Sequence, residues 1–370
     1  MVPEEIMLEL ARPMEHHRTD YYRELHRELH GLLQYLFQTS GTCLTFTGSG
    51  TAAAEAAIVG CCPPGHKALV IRNGKFADRW AKVCATFGIA HTALEFPWGQ
   101  GAKAAHVEKA LAADGALDTV IVVHSETSTT ALSDVEGIAG VVRKRGGLLI
   151  VDGITAVGAL PVKMDAWGVD AYVTGSQKAL MLPPGLAFVA ISDRAWERIN
   201  SAKMPVLYND LKAYRKSLET FDAPYTPAIT LVRGAVKVLQ EIKGRTLEKV
   251  WAETAMLARA TRAAAGALGM KVFPADPVDS VTALVVPNGI DEPKLRKTML
   301  SRYGFRLAGG QDSLKGRIIR LSHMGYVDAF DTLGAIAALE LALAEQGYAV
   351  KLGAGVSAAQ AAFAEGFKKL

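Results

Sequence analysis

Two hydrophobic rhythms alternate along the chain. Residues 18–37, RTDYYRELHRELHGLLQYLF, place Leu25, Leu29, Leu32, Leu33 and Leu36 on one face at helical spacing, which predicts an amphipathic helix. A short strand, LTFT, then enters the glycine turn of GSGTAAAEAAIVG, which opens an Ala-rich helix. ALVIRN (68–73) predicts a strand and FADRWAKVCATFG a helix. From residue 118 the alternation sharpens. DTVIVVH, LLIVDG, DAYVTG and LAFVAIS predict strands, and VEGIAGVVRKRG a helix between the first two. Unbroken apolar runs such as VIVV and LLIV suit strands covered on both faces, as in a parallel sheet between helices. A helical pair is expected over about 227–267, split near Gly244. MKVF, VTALVVP and RIIRLS then predict shorter strands mixed with two helices, a smaller α/β unit. The pattern divides into an N-terminal arm (1–20), a large domain (21–255), a small C-terminal domain (256–350) and a tail (351–370). The Ala/Gly-rich tail is expected to be a peripheral helix or partly disordered.

Composition narrows the function classes. Half of the 370 residues are hydrophobic, enough to bury a core of two domains. The formal net charge is only +4 and the basic residues are scattered, so no nucleic-acid groove is expected. No apolar stretch approaches the roughly 18 residues of a membrane span, and the early acidic N-terminus does not read as a signal peptide. Cys43, Cys61, Cys62 and Cys84 stand at no zinc-ligand spacing. They read as free thiols of a cytoplasmic protein, with no metal site.

Three features supply candidate chemistry. Asp152 ends the apolar strand of VDG (151–153), at the edge where open α/β sheets bind ligands. An acid there is costly unless it meets a cation, and a protonated pyridine nitrogen would be one. A helix cap or a structural ion pair is the plainer alternative. Lys178, in TGSQKALMLPPG (174–185), follows the next strand at the same edge. An amine enclosed there suits Schiff-base chemistry, because desolvation and neighbouring cations lower its pKa. The alternative is a lysine that snorkels to the surface. TGSGTAAAEAA (47–57) runs from strand through glycine turn to helix, a phosphate cradle to which Ser49 and Thr51 could add hydroxyls. That turn equally matches a dinucleotide fingerprint. The next strand, however, ends in Arg72 and Asn73 rather than an acid, which leaves only an NADP-like version. One single-phosphate cofactor accounts for all three features. Phe76 could stack on a flat ring or be an ordinary core aromatic. Thr127, in HSETSTT, could bond a ring substituent or cap the following helix.

These segments resemble the class V (fold type I) aminotransferases, in the branch containing alanine–glyoxylate, serine–glyoxylate and serine–pyruvate aminotransferases. The matching pieces are HHRTDYY, TGSGTAAAEAA, RNGKFADRW, HSETSTTAL, LLIVDGITAVGALPVKMDAWGVDAYVTGSQKAL, PPGLAFVAIS and IIRLSHMG. The resemblance implies a large domain with a mostly parallel, seven-stranded-type sheet between helices, plus a smaller C-terminal α/β domain. It implies pyridoxal 5′-phosphate as cofactor, held as a Schiff base on Lys178 with Asp152 on the ring nitrogen. Phe76 would stack on the ring, Thr127 would contact its hydroxyl, and Ser49, Gly50, Thr51 and Gln177 would hold the phosphate. Tyr225 and Thr226 would complete the phosphate site of a partner subunit, so a homodimer is expected. Arg320 matches the arginine that grips the substrate α-carboxylate, a task its planar fork suits; otherwise a surface ion pair would be expected. The implied reaction is ping-pong transamination from serine or alanine to glyoxylate or pyruvate. Family members usually carry a Pro-Gly-Pro-rich loop before the segment matching Val2-Pro3. This sequence starts at Met1 without it, so either the gene start is misplaced or the pocket edge is built differently.

Three rivals remain open on sequence. A desulfurase would need a late cysteine, and all four cysteines precede residue 85. An aminoethylphosphonate-type transaminase shares the ETST-like segment. A catalytically degenerate homologue could serve as a subunit of a larger assembly, although Lys178, Asp152 and Arg320 are all present.

Overall fold

The computed structural model describes residues 1–201 and 204–368. Its strands are β1 (Thr42–Gly48), β2 (Lys67–Arg72), β3 (Ala90–Glu95), β4 (Leu117–Val123), β5 (Ser125–Glu126), β6 (Ala131–Leu132), β7 (Leu148–Asp152), β8 (Ala171–Gly175), β9 (Gly185–Ile191), β10 (Val281–Val285), β11 (Ala308–Gly309) and β12 (Ile318–Ser322). Among the described residues, the main sheet has seven strands in the order β1-β9-β8-β7-β4-β2-β3. All its pairs are parallel except the two made by β9, which runs against its neighbours β1 and β8. Parallel neighbours need long crossovers, whereas antiparallel ones can be joined by a short loop. The link from β8 to β9 is such a loop, so residues 176–184 stay at the carboxyl edge of the sheet.

Apolar runs explain the central strands. The VIVV run of β4 and the LLIV run of β7 are buried throughout, as their unbroken apolar patterns predict, and so is every residue of β8. Helices Asp20–Phe37 and Ile229–Arg245 cover one face, with Leu29, Leu33 and Val232 fully buried. Helices Gly50–Cys61 and Lys75–Thr86 cover the other, around Ala53, Ala57 and Trp80. Cys43, Cys61, Cys62 and Cys84 are buried free thiols. No helix among the described residues is long and apolar enough to cross a membrane.

The second sheet has the order β10-β12-β11 and packs with helices Glu292–Tyr303 and Ala329–Ala344. One expectation needs correction. MKVF makes no strand of its own: Phe273 N donates to Ala283 O and Val285 N to Lys271 O, with one isolated bridge at Val272, and Pro274 then offers no N–H to continue. The long helical pair breaks at Thr246, which takes a φ of 67°. The arm contains helix Glu4–Ala11, pinned where the Arg233 guanidinium donates to the carbonyls of Glu9, Arg12 and Pro13. The tail is an ordered helix, Ala354–Phe367, with Phe363 buried against Met256, Leu257 and Ile336. Truncating that anchor leaves a cavity in a small cluster. Phe363→Ala is expected to cost about 3 kcal/mol, read as a lower denaturation midpoint, while a surface change such as Lys351→Ala leaves the midpoint in place.

Candidate active site

The carboxyl edge of the main sheet gathers the candidate residues. Asp152 closes β7, and in the ladder it lies opposite Val173 of β8, just before the loop that carries Gln177 and Lys178. Both of its oxygens are occupied: the Trp80 indole donates to Oδ2 at 3.0 Å, and the Ile154 N–H to Oδ1 at 3.0 Å. Burial pushes its carboxyl up to about 6, and the nearby Glu126 adds to the rise, while the Ile154 and Trp80 hydrogen bonds and the Arg79 charge oppose it. Neither plainer alternative describes it: no cation forms an ion pair with it among the described residues, and its backbone contact is a local turn.

Lys178 stands on a clamped loop. Ser176 Oγ donates to Pro183 O at 2.7 Å and accepts from Leu186 N at 3.2 Å. Met181 adopts a left-handed φ of 54°, a conformation that persists only where neighbours enforce it. Burial lowers the Lys178 pKa, Arg320 lowers it further, and Asp152 opposes both. Lys178, Gln177, Phe76, Thr127 and Arg320 line one cleft of about 630 Å³, with Met1 and Val2 at its rim.

Arg320 is buried rather than on the surface. It sits on β12, with Nε and Nη2 donating to Gly309 O at 3.1 and 2.8 Å and Nη1 to Thr127 O. These contacts aim a fixed guanidinium into the cleft. Thr127 Oγ1 lies 3.0 Å from Thr155 Oγ1; the following helix is instead capped by Asp134.

The glycine turn begins helix Gly50–Cys61 with Ser49 as its cap, and the Ser49 side chain makes no cap hydrogen bond to the opening N–H groups. Ser49 is exposed and Thr51 Oγ1 accepts from the Arg79 guanidinium at 3.0 Å. Beside the turn, Gln177 Oε1 and Thr174 Oγ1 are buried without a hydrogen-bond partner among the described residues. A helix N-terminus, a neighbouring guanidinium and the unpartnered Thr174 hydroxyl suit a phosphate, and the Gln177 amide offers it a donor once turned to present its NH2. Together with an acid at the strand end and a low-pKa amine, this donor set fits pyridoxal 5′-phosphate. Tyr225 and Thr226 do not join it: the Tyr225 hydroxyl donates to Leu207 O at 2.8 Å, its ring stacks on Tyr208, and Thr226 is exposed.

Three neighbours, Arg79, Trp80 and Glu126, escaped the sequence reading. Phe76, Arg79 and Trp80 share one face of helix Lys75–Thr86, and the Arg79 guanidinium lies 5.1 Å from the Phe76 ring centre. Their i, i+3, i+4 spacing in KFADRW was the available signal. Glu126, fully buried, caps that helix: its Oε2 accepts from the N–H groups of Phe76 and Ala77 at 3.2 and 3.0 Å, and its Oε1 from Ser128 N and Oγ. Burial pushes its own carboxyl up, against those hydrogen bonds. Among the described residues, no group of three or more His, Cys, Asp and Glu side chains could hold a metal ion.

Comparison with known proteins agrees with this geometry. The family described as Aminotransferase class-V matches residues 7–329. A Synechococcus protein named soluble hydrogenase, small subunit, is 39% identical over 97% of this chain and 94% of its own length. The serine–glyoxylate aminotransferase of Methylorubrum extorquens is 34% identical over 97% of this chain and 92% of its own. The structure titled aspartate aminotransferase of subgroup IV from Thermus thermophilus superposes with a TM-score of 0.87 at 35% identity, covering 93% of this chain and 97% of that one.

The Asp152 environment gives a test that needs no cofactor. In the apoprotein, Trp80 fluorescence is expected to titrate with a midpoint near 6, the value to which the Asp152 carboxyl is raised. Asp152→Asn removes the transition. Glu126→Gln takes away an anion that favours the protonated form, so it moves the midpoint to lower pH.

Proposed function

The chain belongs to the class V aminotransferase family, and from that premise we propose that it moves the amino group of serine or alanine onto glyoxylate or pyruvate. The observation that carries this reading is that Lys178, Asp152 and Arg320 stand around one sheet edge and its cleft. The serine–glyoxylate relative supports the donor and acceptor class. Four buried thiols suit a reducing cytoplasm.

Pyridoxal 5′-phosphate would supply an aldehyde that accepts the amino group and a ring that takes up electrons. Its phosphate would lie on the turn of Ser49, Gly50 and Thr51 with Gln177, and Phe76 would cover the ring while Thr127 meets its hydroxyl. Asp152 keeps a proton on the ring nitrogen. Arg320 clamps the donor α-carboxylate, which turns the Cα–H toward Lys178. Burial and the Arg320 charge shift Lys178 toward its free amine, the form that can take that proton and return it. Ping-pong turnover runs these roles twice, in opposite directions. Tyr225 and Thr226, which the family resemblance assigns to a partner's phosphate site, would serve that role in a homodimer.

A non-catalytic subunit role is the second reading, favoured by the printed name of the Synechococcus relative. The two separate on one assay. Loaded with cofactor and given L-serine or L-alanine without an acceptor, the protein is expected to release a stoichiometric amount of the matching 2-oxo acid. Lys178→Ala lowers that rate by about a thousandfold, and Arg320→Ala raises the donor KM by roughly tenfold or more. Release of an aldehyde from aminoethylphosphonate, with no 2-oxo acid from either amino acid, would assign the phosphonate donor class. No release from any amine would leave the subunit role.

A further inference from the structure

The proposed transfer leaves one cation of the cleft without a task. Lys178, Arg306 and Arg320 line it, and no Asp or Glu stands among the lining residues. Lys178 moves the proton and Arg320 clamps the α-carboxylate. Arg306 remains. It is exposed and makes no hydrogen bond or ion pair with any described residue. Its neighbours differ: Lys75 pairs with Asp312 at 2.8 Å, and Arg296 pairs with Glu292.

Strand geometry explains why Arg306 faces the ligand. Ala308 of β11 is directly opposite Arg320 of β12, so their side chains leave the same face of the sheet. Leu307, one residue earlier, points the other way and is buried in the core of the second sheet. Arg306, two residues before β11, falls on the Arg320 side by the same alternation, an offset of about 7 Å at strand spacing, and it lines the same cleft as Arg320. The alternation is visible in exposure, with 306 and 308 exposed and 307 buried. A long side chain spans that offset with ease. Two guanidinium groups thus converge on one cleft, one fixed by backbone carbonyls and one free.

We propose that Arg306 receives a second carboxylate, and that the donor range of this site extends to dicarboxylic amino acids such as aspartate and glutamate. This rests on the reading that Arg320 holds the α-carboxylate of an amino donor. A guanidinium fork matches a carboxylate in two parallel hydrogen bonds. Because Arg306 is exposed, it can swing into solvent when a monocarboxylic donor enters, so both donor classes remain compatible with one site. The electrostatics have the same sense: an uncompensated positive cleft favours a ligand with an additional negative charge.

The test compares donors and non-reacting ligands on the cofactor-loaded protein. Wild-type protein should use L-aspartate or L-glutamate in addition to L-alanine, and should bind succinate more tightly than propionate. In Arg306→Ala, the kcat/KM ratio of L-aspartate to L-alanine should fall about tenfold or more, through KM, and the preference for succinate should vanish. Arg306→Lys should restore part of both. Turnover of alanine with no use of either dicarboxylic donor, or an unchanged donor ratio in Arg306→Ala, overturns the inference and leaves the transfer reading standing. Failure with every donor, while the Arg306-dependent succinate preference persists, sinks the transfer reading and keeps Arg306 as the second carboxylate site.

Discussion

Asp152 ends a strand whose residues are all buried, and a carboxylate there loses most of its hydration. Such a group costs several kcal/mol unless it is hydrogen-bonded or meets a cation. Two donors, Trp80 and the Ile154 N–H, satisfy it only in part and leave its pKa raised. Much of the site follows from that incomplete satisfaction. Trp80 is fixed by the helix that also presents Phe76 and Arg79, and that helix begins on the buried carboxylate of Glu126. The acid is therefore tied through one helix to the ring face and to the glycine turn that Arg79 touches.

The reversed strand β9 provides the other half. Its antiparallel link to β8 keeps Lys178 on a short, clamped loop at the edge where Asp152 ends, instead of on a crossover helix. The second sheet then closes the cleft from its far side with Arg320, whose donations to the carbonyls of Gly309 and Thr127 fix its direction and leave one hydrogen on each Nη for a carboxylate. Positive charge dominates the wall. The buried acids Asp152 and Glu126 are not among its lining residues.

Much of this was legible in the sequence, for physical reasons. Asp152 and Lys178 stood out because polar groups that end apolar strands are expensive, and the central strands were visible as unbroken apolar runs. Arg320 was legible only through the family resemblance, since a lone arginine on a strand is otherwise an ordinary ion-pair candidate. β3 was missed: AHTALE is a half-exposed edge strand with no apolar run. MKVF promised a strand that Pro274 cuts short. Arg79, Trp80 and Glu126 escaped because their roles depend on which face of helix Lys75–Thr86 turns toward the sheet edge. Periodicity groups those residues on a face without saying what that face meets.

The central claim is that this sheet edge holds pyridoxal 5′-phosphate on Lys178, and reductive trapping tests it most directly. The purified protein would be loaded with the cofactor, reduced with borohydride, digested and mapped by mass spectrometry. The account predicts one pyridoxyl-phosphate adduct per chain, on Lys178, and its loss in Lys178→Ala. Absence of an adduct, or an adduct on another lysine, would contradict it.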